Sequence, residues 1–130
     1  MRIFAKQIME EVSGKQQTFE KLSIDGTCLL DLFEIEIKPN KQLYSEYKTI
    51  LAYMSLMANG LSLPQAKFRE IKGGNLPRKQ YEFKSKHLRI YALDNNQGKL
   101  IILGGYKTSQ EKDIKQLNII AKEYILNERK

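Results

Sequence analysis

The chain is poor in the residues that staple, ligate or cut: one cysteine, one histidine, no tryptophan and three prolines among 130 residues. A lone thiol, Cys28, closes no internal disulfide, and no cysteine–histidine grouping has metal-ligand spacing. Cys28 reads as a small core residue, with no cation in its surroundings to lower its pKa. The lone histidine, His87, sits in the polar run Lys84-Ser85-Lys86-His87 and reads as a turn residue, a poor basis for Ser–His–Asp catalysis. Gly73-Gly74 and Gly104-Gly105 lack the spacing and strand-to-helix setting of a phosphate cradle. No apolar run reaches the roughly 18 residues that span a bilayer. The opening MRIFAKQIMEEV scatters charge where a secretory signal needs an apolar core. The expectation is a cytoplasmic protein with no membrane partner, no cofactor and no metal.

What the chain does have is positive charge in one place. Residues 1–66 carry 7 Lys/Arg and 8 Asp/Glu, residues 67–112 carry 11 and 4, and residues 113–130 carry 4 and 3. The net charge of +7 therefore belongs to the middle segment. A local excess of this kind suits a polyanion, because each neutralised phosphate releases counterions. It equally suits a solvated face that keeps a protein soluble.

Hydrophobic period sets the elements. Asp25-Gly26 between two apolar runs predicts a hairpin, and Phe33, Ile35 and Ile37 alternating with Glu34 and Glu36 predict that its second strand is half exposed. Residues 2–8 add a further strand. After Pro39-Asn40 the period changes: Leu43, Tyr47, Ile50, Leu51, Met54 and Met57 predict a helix over 41–58, closed by Asn59-Gly60. Strands are expected at 67–71, 79–85, 87–94 and 99–104, the last pair antiparallel around Asp94–Gly98. The continuous apolar run Leu100–Leu103 suits a central strand covered on both faces. A final helix over 109–127 buries Ile114, Leu117, Ile120, Ala121, Tyr124 and Ile125, with Ser109 its expected N-cap. The fold class is α+β, a curved antiparallel sheet with packed helices, in one domain spanning 1–130.

The basic segment supplies cations and phenols rather than carboxylate pairs, and these suit RNA cleavage. RNA carries its own nucleophile, the 2′-OH, so a site needs in-line positioning, proton transfer and cations on the developing phosphorane. Alternation puts His87, Arg89, Tyr91 and Leu93 on one face of their strand, opposite the apolar set Leu88, Ile90 and Ala92. The apolar set is expected to face the helices, leaving Arg89 and Tyr91 on the open side of the sheet. Lys84 on the preceding strand reaches the same side in one register. The competing reading pairs Arg89 with Glu82 across strands and half-buries Tyr91.

The order and wording of residues 41–126 resemble the RelE/ParE toxin superfamily, in particular its HigB-like, phage-derived branch. The helix ends in Asn59-Gly60, REIKGGNLPRKQYEFK stands where that branch has a basic lead-in and an LYELR strand, and RIY (89–91) matches the next strand. The apolar strand into Gly105-Tyr106-Lys107 corresponds to GF.KK. The resemblance implies a RelE-like toxin of a type II toxin–antitoxin system: an mRNA interferase acting on the ribosome and neutralised by a helix-turn-helix antitoxin. By the same matching, Arg89, Tyr91, Lys84 and Tyr106 would be catalytic, while Lys72, Arg78 and Lys107 would bind RNA. Lys84 stands where arginine is usual, a point charge replacing a planar fork, and Thr108-Ser109 replace part of a lysine cluster. Residues 1–40 are a strand-rich extension expected to add a hairpin at the sheet edge or shape a homodimer or antitoxin contact. ParE-like members bind gyrase without cutting RNA, so a non-catalytic binder, or a degenerate toxin that only occupies its antitoxin, stands as the alternative.

Overall fold

Strand β1 (Phe4–Ile8) runs antiparallel to β2 (Thr18–Ile24), and a tight turn leads from β2 to the two-residue β3 (Thr27–Cys28). Asp25 and Gly26 in that turn both hold positive φ, 51° and 84°. Such a pair matches the twist of a hairpin, and Asp and Gly tolerate it at least cost. The chain then becomes helical at once: α1 spans Leu29–Ile37 and α2 Lys41–Ala58. The Asn40 side chain accepts from Leu43 N–H at 3.1 Å, satisfying one of the amides left unpaired at the start of α2. Four strands follow, β4 (Phe68–Ile71), β5 (Gln80–Lys84), β6 (Leu88–Asn95) and β7 (Gly98–Tyr106), and helix α3 (Gln110–Glu128) completes the order. The computed structural model describes residues 2–128.

Helix α1 corrects the half-exposed strand expected after Asp25-Gly26, the run that ends with Phe33, Ile35 and Ile37. Alternation of Glu34 and Glu36 with apolar residues imitates period 2, yet Leu30, Phe33 and Ile37 are the buried positions. Their spacing is that of one helical face. Ile35, the residue that completed the alternating pattern, is 68% exposed.

The strands form a mixed sheet in the order β1-β2-β7-β6-β5-β4, with β3 beside β2. Neighbours are antiparallel except β2 and β7, which run parallel with Thr18 opposite Gly98 and Lys21 opposite Ile101. The expectation of a wholly antiparallel sheet is thereby corrected. The N-terminal hairpin is not a loose addition, since β2 hydrogen-bonds to the central β7.

Both faces of the sheet are covered. Helices α1 and α2 enclose one core with Phe19, Phe83, Leu88, Ile90, Ala92 and Ile101. On the other face α3 packs Leu117, Ile120, Ala121, Tyr124 and Ile125 against Tyr91, Leu93, Leu100, Ile102 and Leu103. The residues of the Leu100–Leu103 run are all buried, which agrees with a strand enclosed on two sides. The paired glycines near its end serve both layers. A Cβ on Gly104 would lie 2.5 Å from the Phe33 ring of α1, and one on Gly105 would lie 1.9 Å from an oxygen of Asp113 in α3. Ser109 is not the N-cap expected of it: within the single 3₁₀ turn Lys107–Ser109 its Oγ accepts from Tyr106 N–H and donates to Asp113.

Candidate functional site

Alternation along β6 divides its side chains as the sequence implies, but the face assigned to solvent is buried. Arg89 is 8% exposed and Tyr91 is fully enclosed beneath α3. The open face expected for them is therefore corrected, because α3 supplies a second helical layer. Arg89 donates to the carbonyls of Ser85 and Leu88 at 2.7 and 2.8 Å, and its Nε lies 3.7 Å from Glu82. Glu82, itself fully buried, also receives Arg69 at 3.3 Å and the Gln110 amide of α3 at 2.9 Å. The guanidinium is thus neutralised and tied to the backbone, unable to grip a phosphate from solvent.

The phenols lie near acids rather than cations. Burial, followed by the charges of Asp113 and Glu82, raises the Tyr91 pKa well above the ordinary phenol value. Tyr106 donates to Glu36 of α1 at 2.5 Å, and this bond, with some burial and the charge of Glu36, pushes its pKa up to about 12. Both hydroxyls stay protonated near neutral pH, so neither acts there as a base.

A different grouping is assembled at the rim of the sheet, where the β5–β6 turn meets the end of β7. Glu46, from the margin of the buried stripe of α2, reaches this turn. One carboxylate oxygen accepts from Ser85 Oγ at 2.5 Å and from His87 N–H at 2.9 Å; the other lies 2.6 Å from His87 Nδ1. Burial acts to raise the Glu46 pKa, but the bonds from His87 and Ser85 outweigh it and hold the carboxyl below its usual range. With Nδ1 engaged, Nε2 is the free nitrogen of a side chain 44% exposed. Lys107 N–H donates to His87 O at 2.8 Å, fastening the end of β7 to the same turn. Lys84 and Lys86 flank Ser85 in the sequence of this turn, Lys84 on the sheet face that carries Arg89, and Lys107 follows the end of β7; among the described residues none of the three is paired with a carboxylate.

No family model, curated protein or solved structure matches this chain significantly.

The structure separates the sequence-derived candidates into three places. Lys84, Tyr106 and Lys107 stand at the rim, with Lys84 directly opposite Arg89 in the β5–β6 register. Arg89 and Tyr91 lie in the buried layer under α3. Lys72 and Arg78 belong to the β4–β5 connection, beyond the opposite end of β5. Lys72 is open to solvent and 3.4 Å from Glu70. Arg78 is structural: it donates to Asp94 O at 2.7 Å and to Asn95 Oδ1 at 3.0 Å, pairs with Glu128, and lies over the Tyr124 ring at 5.7 Å. Sequence reasoning passed over Glu46 and left His87 as a turn residue. No local pattern joins two residues 41 positions apart, and a lone acid beside a helix stripe carries no signal. Among the described residues no group of three or more His, Cys, Asp or Glu side chains is placed to hold a metal, and no helix is long and apolar enough to cross a membrane.

Proposed function

We propose that the protein is an RNA endonuclease of the toxin type, RelE-like in fold as its sequence resemblance implies, with its working groups at the rim of the sheet. The observation that carries this reading is the Glu46-held imidazole of His87, half exposed in a turn whose neighbouring lysines in the chain have no carboxylate partner. In the tautomer with its proton on Nδ1, directed at Glu46, His87 leaves the Nε2 lone pair free to accept a proton. That nitrogen takes the proton of a ribose 2′-OH; O2′ attacks the adjacent phosphorus and the P–O5′ bond breaks. The departing O5′ takes a proton from a lysine ammonium or water, giving a 2′,3′-cyclic phosphate and a 5′-hydroxyl end. Lys84, Lys86 and Lys107 bear the negative charge that builds on the phosphorane. Messenger RNA on the ribosome is the substrate, and a helix-turn-helix antitoxin the restraining partner, that the resemblance supplies.

The neutralised Arg89 and the strongly protonated phenols favour a second reading, a binder that shares the toxin architecture but cuts nothing. Mapping RNA ends separates the two. Purified protein incubated with mRNA and translating ribosomes is expected to create new 2′,3′-cyclic phosphate ends. His87→Ala is expected to reduce them about a hundredfold or more, the usual worth of a general base, while remaining folded. Absence of new ends with the wild-type protein, or undiminished cutting by folded His87→Ala, refutes the rim mechanism.

A further inference from the structure

Beyond the rim, the β4–β5 connection folds over a cleft of about 130 Å³ lined by residues that include Ile71, Lys72, Gly73, Gly74, Leu76 and Gln80. Its floor holds an unusual cost. Gln80, in the lining, is 3% exposed, and neither its Nε2 nor its Oε1 has a hydrogen-bond partner; Asn118 Oδ1 of α3, outside the lining and against Gly74, is likewise buried and unpartnered. Buried amide groups are almost always bonded, and each one left empty costs stability. These groups converge: a Cβ built on Gly74 would lie 3.0 Å from Asn118 Oδ1 and 3.2 Å from Gln80 Oε1. The glycine pair is what lets the loop sit this close, with Gly73 at φ 94°.

We propose that this cleft is a nucleobase subsite selective for guanine. The unpartnered atoms are one donor nitrogen, Gln80 Nε2, one of whose two N–H groups lies on the same edge as Oε1, and two acceptors, Gln80 Oε1 and Asn118 Oδ1. Guanine presents the complementary edge, one acceptor (O6) beside two donors (N1–H and N2–H), whereas adenine would leave one acceptor unfilled. Ile71 and Leu76 offer apolar walls to the ring, and Lys79 stands exposed nearby for an attached phosphate, while Lys72 is paired with Glu70 of the same lining. The cleft is well below the roughly 300–1,000 Å³ of a drug-sized pocket, so it takes one ring system rather than a whole nucleotide. Rotation of the Gln80 amide, or a lift of the glycine pair, brings the bonding edge to the ligand. The inference rests on the RNA reading for the source of the base. Gln80 and Lys84 stand at the two ends of β5, roughly 13 Å apart at strand rise, so base recognition and phosphate cleavage would fall on different nucleotides of one strand.

The test is titration with nucleoside 5′-monophosphates, which have no internucleotide bond to cut, followed by NMR at the Gln80 side-chain amide. GMP is expected to shift that signal and to bind about tenfold or more tightly than AMP, CMP or UMP, the worth of one good base pairing. Gln80→Leu is expected to lose the preference without a lower melting temperature, and Asn118→Ala to lose discrimination between GMP and AMP. A short single-stranded RNA with one guanine should compete with GMP, and its adenine counterpart should not. His87→Ala should bind GMP as the wild type does, so that failures of cleavage and of base recognition are read separately. Equal weak binding of all four monophosphates, retained preference in folded Gln80→Leu, or no competition by the guanine-containing RNA overturns the subsite.

Discussion

At the scale of single residues, the deciding fact is which carboxylate owns which cation. Glu82 anchors Arg89, Arg69 and Gln110 from a fully buried position. Glu82→Ala would strand the Arg89 guanidinium away from water, and a loss of about 3–5 kcal/mol in chemical denaturation is expected. Arg89→Ala should cost less, because Glu82 keeps Arg69 and Gln110. Glu46 makes a pH-dependent contribution of definite sign. Its carboxyl is held below the usual range, so the stabilisation is complete above about pH 4.5 and is lost as pH falls through the lower folded-state value. Between pH 5 and 3 the wild-type melting temperature should therefore fall more than that of Glu46→Gln. Tyr106 behaves in the opposite sense. Its pKa is raised to about 12, so its stabilisation is intact below pH 10 and fades as pH rises toward 12. Tyr106→Phe should be the less alkali-sensitive protein. Side-chain alternation along β6 was legible in the sequence, including Arg89 and Tyr91 on one face and a Glu82 partner as the competing reading. That this face is closed was not, since no residue in β6 reports a helix arriving from α3.

At the scale of elements, most of the secondary structure follows from local period and turn chemistry. The stripe of α2, the Asp25-Gly26 turn and strands β4 to β7 were all visible in residue order. Helix α1 was not, because two signals overlap in LLDLFEIEI. The helical face Leu30, Phe33, Ile37 is present, but Ile35 mimics a strand. Tertiary placement decides between them: from the helical segment Glu34 finds Tyr44 of α2 at 3.1 Å and Glu36 finds Tyr106. Two substitutions test this assignment. Phe33→Ala, removing the ring that packs on Gly104 and lies 5.3 Å from the Tyr106 ring, should cost about 3–5 kcal/mol in a denaturant melt. Ile35→Glu, on the exposed side, should change stability by no more than about 0.5 kcal/mol. Equal losses from the two would contradict a helix.

At the scale of the whole molecule, an apolar interior holding a few paired charges is set against a basic margin. The arginines of residues 67–112, namely Arg69, Arg78 and Arg89, are all engaged with carboxylates. The surplus charge visible in the sequence therefore reaches solvent through lysines, and Lys84 and Lys86 lie in or next to the β5–β6 turn that carries the Glu46–His87 pair. The location of the charge in the chain could be read from composition. Its division into carboxylate-bound arginines and lysines of which only Lys72 and Lys99 are ion-paired among the described residues could not, because pairing partners come from α3 and from neighbouring strands. The most direct test is the salt dependence of single-stranded RNA binding, comparing the wild-type protein with a triple Lys84→Gln, Lys86→Gln, Lys107→Gln variant. If these lysines meet phosphates, the slope of log affinity against log salt should weaken by roughly 2, about 0.7 for each phosphate no longer neutralised, with the melting temperature unchanged. An unaltered slope in the folded variant would place the polyanion surface elsewhere and contradict the rim as the working site.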